Sequence, residues 1–177
     1  MFERYEESAR RVIFFARYET STLGGDYIEP EHLLLGLLRE CQVIKSMFPG
    51  GAIESLRREL EQRSRNEIHH QTSVDIPLSN GAKRVLAYGA EEAERMNDRM
   101  ISCAHLAAGI LREPETFASQ WLVGQGVTLE RLRETMINKM QATRTNDDIV
   151  NRLRVELREA VEQLDWTIAP ALRVHLR

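Results

Sequence analysis

Two histidines recur in the same setting. His32 stands in Pro30-Glu31-His32-Leu33-Leu34-Leu35-Gly36 and His105 in Cys103-Ala104-His105-Leu106-Ala107-Ala108-Gly109. Imidazole titrates near neutrality and ligates metals, so a duplicated His invites a catalytic or metal reading. On a helix that is apolar on nearly every side, a His more often packs with one ring hydrogen bond satisfied. That is the expectation here. His69-His70 lies in a polar stretch, and two adjacent His make no closed metal site. Cys41 and Cys103 fit no CxxC or zinc spacing, and two thiols make no disulfide framework. They read as buried small side chains in a reducing cytoplasm. None of Lys45, Lys83 and Lys139 follows the glycines of a G-x-x-x-x-G-K-[ST] phosphate loop. With no nucleophile-base pair either, the expectation is no enzyme, no cofactor and no metal.

Other side chains suit binding. Phe2 and Tyr5 stand among Glu3, Arg4, Glu6 and Glu7. An aromatic pair in that setting is either a partly exposed protein-binding anchor or a hydrophobic staple against the first helix. The 177 residues are 42% hydrophobic and 29% charged, with a net charge of −3. That balance gives no pull toward nucleic acid or an anionic membrane. The acidic N-terminus is unlike a signal peptide, and no apolar run reaches the ~20 residues of a membrane span. The expected setting is the cytoplasm and the expected partners are proteins.

The elements that must position these residues are duplicated. With an offset of 73 and no gap, Ala9 falls on Ala82, Arg11 on Arg84, Val12 on Val85 and Glu19 on Glu92. Ile28 falls on Ile101, His32 on His105, Gly36 on Gly109, and Leu38-Arg39-Glu40 on Leu111-Arg112-Glu113. The offset then becomes 76, so Leu56 meets Leu132 and Arg57 meets Arg133. The second copy thus has about three extra residues near Pro114 to Trp121.

Each copy reads as helices. Val12, Phe15, Ala16, Glu19 and Leu23 keep helical spacing up to a stop at Gly24-Gly25. Pro30 suits a first helical residue, and Glu31 would cap that turn electrostatically. Gly36 and Gly109 sit mid-helix, which predicts close helix-helix approach at equivalent points. Ser79 is the expected N-cap of the helix opening copy two. Amphipathic helices are expected over about Ile53–Arg65 and Leu129–Ala142. The division expected is repeat one over 1–65, a linker over 66–77, repeat two over 78–145 and a helical hairpin over 146–177, turning at Asp165-Trp166-Thr167. The fold class is all-α: a pseudo-twofold duplication of a four-helix repeat plus that hairpin.

Met1-Phe2-Glu3-Arg4-Tyr5, Ala9-Arg10-Arg11-Val12 and Tyr27-Ile28-Glu29-Pro30-Glu31-His32-Leu33-Leu34-Leu35-Gly36-Leu37-Leu38-Arg39-Glu40 closely resemble the N-terminal domain of Clp-type AAA+ unfoldases, the ClpC branch most of all. Met100 to Glu113 is a weaker version of the same motif. The resemblance covers about Met1 to Ala142. It implies two four-helix repeats that dock adaptors and substrates, with Phe2 on a ligand-binding patch. It also implies docking of phosphoarginine: a Glu before the motif His engages the guanidinium, and a hydroxyl near the start of each repeat holds the phosphate. Copy one supplies Glu31 but has Glu6 at the hydroxyl position. Copy two supplies Ser79 but has Ala104 at the Glu position. The segment from Leu153 to Arg173 is similar to a UVR motif, a protein-contact hairpin in which Leu157, Leu164 and Trp166 would be contact residues and through which two copies could pair. The function implied is a protein-binding adaptor or modulator of the Clp proteolysis and chaperone system. The alternatives are a contact factor in excision repair, or the substrate-docking fragment of a larger Clp ATPase.

Overall fold

The computed structural model describes residues 3–48, 50–63 and 76–174, from 163 onward as backbone alone. Phe2, His69-His70, most of the expected linker, and the side chains of Leu164 and Trp166 lie outside the described residues. Eight helices are described: α1 Glu7–Leu23, α2 Pro30–Glu40, α3 Gln42–Lys45, α4 Ala52–Arg63, α5 Asn80–Arg95, α6 Cys103–Leu111, α7 Phe117–Gly124 and α8 Leu129–Val174. Among the described residues there is no strand, only two isolated bridges.

The sequence offset reappears as structure. α1 packs on α2, α5 packs on α6, and α2 meets α6. Local signals set the ends. Gly24 closes α1 with φ at 87°, a conformation that strains any residue with a Cβ. Pro30 opens α2, and the Ser79 hydroxyl accepts the Ala82 N–H at 3.0 Å to cap α5. A Cβ on Gly36 would strike the Val12 carbonyl oxygen, and a Cβ on Gly109 the Val85 carbonyl oxygen. The two glycines therefore let α2 ride on α1 and α6 on α5, as their matched positions predict. The extra residues of copy two fall in its third helix: α7 has 8 residues where α3 has 4.

Two expectations are corrected. Cys41 and Cys103 are not separate thiols; they form a disulfide between the repeats, with Cα atoms 5.7 Å apart. Repeat alignment conceals this, because Cys41 falls on Pro114 and Cys103 on Pro30. The second concerns the tail. One helix, α8, runs from Leu129 to Val174 with no turn at Asp165-Trp166-Thr167. From Val127 to Ala169 there is neither Gly nor Pro, and Arg, Glu, Leu and Ala are good helix formers. Nothing in that stretch stops the helix.

The molecule divides into two compact units, Met1–Met136 and Ile137–Arg177. The first holds one core, in which Val12, Leu33, Leu34, Leu37, Leu56, Val85, Leu106, Ile110, Leu122 and Leu132 are fully or almost fully buried. The second is the later part of α8.

Candidate functional site

The segments before the helices are exchanged between repeats. The Ile101 N–H donates to the Arg4 carbonyl at 2.6 Å and the Glu6 N–H donates to the Ile101 carbonyl at 2.9 Å. The Ile28 N–H donates to the Pro77 carbonyl at 2.8 Å and the Ser79 N–H donates to the Ile28 carbonyl at 3.1 Å. These are one arrangement seen twice, since the offset of 73 carries Arg4 to Pro77, Glu6 to Ser79 and Ile28 to Ile101. Each repeat's leading segment is thus held by the other repeat.

The exchange decides which candidate residues share an end of the molecule. α2 of repeat one starts beside α5 of repeat two: a Cβ built on Gly81 would lie 3.2 Å from Pro30 Cγ and 3.7 Å from Ser79 Oγ. Glu31 and Ser79, which belong to different copies, therefore open neighbouring helices. The other end pairs Glu6 with Ala104. There the Ser8 hydroxyl reaches the Glu6 carboxylate at 3.4 Å, and Ala104 is buried. Pairing the candidates within each copy gave two half-sites. Pairing them across copies gives one end with both groups and one end with neither.

The first end has the chemistry of a small dipolar receptor. Ser79 Oγ accepts one N–H and keeps its own hydrogen to donate. The first-turn N–H groups of α5 have no partner within the helix and favour an anion. The Glu31 carboxylate, in the first turn of α2 and half-buried, favours a cation.

His32 and His105 hold the frame. His32 Nδ1 accepts the Glu29 N–H at 3.0 Å, and His105 Nδ1 accepts the Ser102 N–H at 3.0 Å. Each is the returning half of a capping box whose other half is the N-cap side chain. Burial lowers His32 to about 4. Burial also lowers His105, against the opposing pull of Asp98, whose carboxylate lies 3.3 Å from His105 Nε2. Both rings are neutral acceptors at pH 7, and the cap occupies the nitrogen a metal or proton would need.

Sequence reasoning missed the buried acids. Glu19 is 2% exposed and Glu92 is 0% exposed. Arg57 reaches Glu19 at 2.7 Å, with Arg39 at 4.0 Å. Arg133 reaches Glu92 at 2.7 Å, with Arg112 at 3.3 Å. Burial pushes the Glu92 carboxyl up, but Arg133, Arg95 and Arg112 outweigh it and the net shift is down. The signal was available: Glu19, Arg39 and Arg57 all recur at the repeat offsets. Arg11–Glu40 at 2.9 Å and Arg84–Glu113 at 2.8 Å are a second duplicated pair.

Tyr5 is no surface anchor. It is 8% exposed, because the bridge to Ile101 draws it between the repeats. Leu157 is 66% exposed, and Ile149, Val150, Leu153 and Val161 are exposed beside it in sequence. Among the described residues no helix is long and apolar enough to cross a membrane.

Similarity to known proteins agrees with the fold. The family model for the Clp repeat (R) N-terminal domain matches residues 4–125. The chain is 34% identical over 151 residues to the chloroplastic chaperone protein ClpC2 of Oryza sativa subsp. japonica, covering 81% of this chain and 16% of that protein. It is 34% identical over 151 residues to an ATP-dependent Clp protease ATP-binding subunit ClpA homolog of Guillardia theta, covering 81% of this chain and 18% of that one. The chain thus spans less than a fifth of these curated relatives. Among solved structures, the N-terminal domain of the ClpD chaperone of Arabidopsis thaliana superposes with a TM-score of 0.63 at 25% identity, covering 80% of this chain and 97% of that one. The Hsp104 N-terminal domain of Candida albicans shares the fold at 14% identity, with a TM-score of 0.58 over 76% of this chain and 90% of that one.

Proposed function

The chain belongs to the Clp repeat (R) N-terminal domain family, and from that premise we propose that it is a docking module of the Clp system, without chemistry of its own, that receives substrate or adaptor segments at the end shared by α2 and α5. The observation that carries this is the opening of neighbouring helices by Glu31 and Ser79. A phosphorylated guanidine matches the pair. Its cationic side takes the Glu31 carboxylate, and its phosphate takes the Ser79 hydroxyl and the α5 N–H groups. The family resemblance supports phosphoarginine as that group.

Isothermal titration with a phosphoarginine peptide tests the reading. One site per chain is expected, lost in Glu31→Ala and retained in Glu6→Ala. Equal binding of the unmodified peptide, or a Glu31→Ala variant that binds as before, would overturn it. Pull-down from native lysate is expected to recover Clp ATPase or protease subunits. The exposed apolar side chains of α8, Leu157 foremost, supply a second protein contact in this reading. A chain ending at Thr145 is then expected to lose some partners while keeping the peptide site.

A further inference from the structure

The disulfide is the covalent link between the repeats, and it has no duplicate. Its pseudo-symmetric positions are Pro30 and Pro114, so the chain has a single crosslink where its hydrogen-bonded exchange has two. Cys41 is fully buried between α2 and α3, its N–H donating to the Leu37 carbonyl at 2.8 Å. Cys103 is the first residue of α6 and is 9% exposed. The two sulfurs are therefore unequal. Cys103 is the less buried of the two, the side from which a reagent is expected to enter. The α6 N-terminus also favours the thiolate at Cys103, the form that reacts. Backbone geometry presents no barrier, since a Cα separation of 5.7 Å is ordinary for a bridged pair.

We propose that Cys41 and Cys103 form a reversible dithiol-disulfide site, oxidised by a low-molecular-weight disulfide and reduced by a thiol, that latches the two repeats together. In the oxidising direction the Cys103 thiolate attacks one sulfur of the small disulfide. A Cys103 mixed disulfide forms and one small thiolate leaves. Cys41, as thiolate, then attacks the Cys103 sulfur, and the second small thiolate leaves. The two protein thiols are oxidised to one disulfide, the small disulfide is reduced to two thiols, and the two protons end on those thiols. Reduction runs the same steps backward, with the external thiol entering at Cys103. The docking reading plays no part in this inference.

The full chain is equilibrated with glutathione disulfide or with dithiothreitol, then alkylated under denaturing conditions and weighed. Two alkylations are expected after reduction and none after oxidation, at monomer mass. The oxidised form is expected to melt about 10 °C higher, because the bond closes a long loop. Cys41→Ser is expected to accumulate one glutathione adduct at Cys103, while Cys103→Ser stays unmodified. Two alkylations after oxidation, a crosslink between two chains, an unchanged melting temperature, or an adduct at Cys41 instead of Cys103 would each overturn the proposal. The alkylation and melting measurements use the wild-type chain, so the test survives a variant that does not fold.

Discussion

The two repeats keep the same skeleton and differ most in chemistry where their helices begin and on their exposed faces. Both keep the buried Glu with its Arg partners, the His cap, the mid-helix glycine and the exchanged leading segment. Repeat one carries Glu31, where repeat two carries Ala104. Repeat two carries Ser79, where repeat one carries Glu6. Phe14 and Tyr18 are 65% and 45% exposed, and their equivalents in repeat two are Ala87 and Glu91. The retained positions are those whose loss leaves a buried charge or a steric collision. These altered pairs touch solvent or the start of a helix, whereas Leu34 and Leu35, opposite Ala107 and Ala108, differ inside the core. Duplication therefore preserved the buried charges, the His caps and the close-approach glycines and varied the helix starts and exposed faces.

That contrast can be broken first at the acids. Glu92→Ala removes the partner of guanidinium groups gathered at a fully buried site and is expected to cost about 4 kcal/mol in denaturant unfolding. Glu19→Ala, with fewer close partners, is expected to cost less. An equal loss would erase the distinction between the two clasps.

Acid is expected to act next. The His32 pKa falls from an ordinary 6.5 to about 4 on folding, so the unfolded chain binds more protons between those values. Stability present above pH 6.5 is then lost as pH falls toward 4, by about 3 kcal/mol in the limit. Glu92, also lowered, adds a further loss below its ordinary value of 4.5. Thermal melts from pH 7 to pH 4 check the sign, and His32→Asn should flatten the upper part of the curve. A chain that becomes more stable on acidification would contradict the neutral caps.

Gly36→Ala and Gly109→Ala are expected to cost about 2 kcal/mol each, by pressing a methyl onto a backbone carbonyl. Similar losses at the two sites would support a common skeleton, and a harmless substitution at one would break it. Ser79→Ala should cost about 1 kcal/mol through the lost cap and weaken the peptide site. Leu157→Ser should leave stability within about 0.5 kcal/mol, as exposed positions do, while changing partner recovery in pull-downs.

Much of the skeleton was legible in residue types alone. The repeat, the Gly24 stop, Pro30, the Ser79 cap, the two glycines and the packed histidines follow from local rules that need no knowledge of the partner surface. The pairing of Glu31 with Ser79 was hidden because a sequence repeat suggests that each copy completes itself, whereas backbone pairing runs between copies. The disulfide was hidden for a related reason: a pseudo-twofold axis brings together positions that do not align. The continuous α8 was misread because Asp165, Trp166 and Thr167 suit a turn without enforcing one, and α8 has no Gly or Pro before Pro170 to stop it.

The exchanged segments also govern the order in which the protein comes into being. Arg4 and Glu6 are made well before their backbone partner Ile101, and Ile28 waits for Pro77 and Ser79. During synthesis the first repeat emerges with both of its pairing edges unfilled and stays so until most of the second has followed. Its closure is set by translation and by contacts far apart along the chain, which form slowly. In that interval, an identical first repeat on a neighbouring nascent chain presents the same complementary edges.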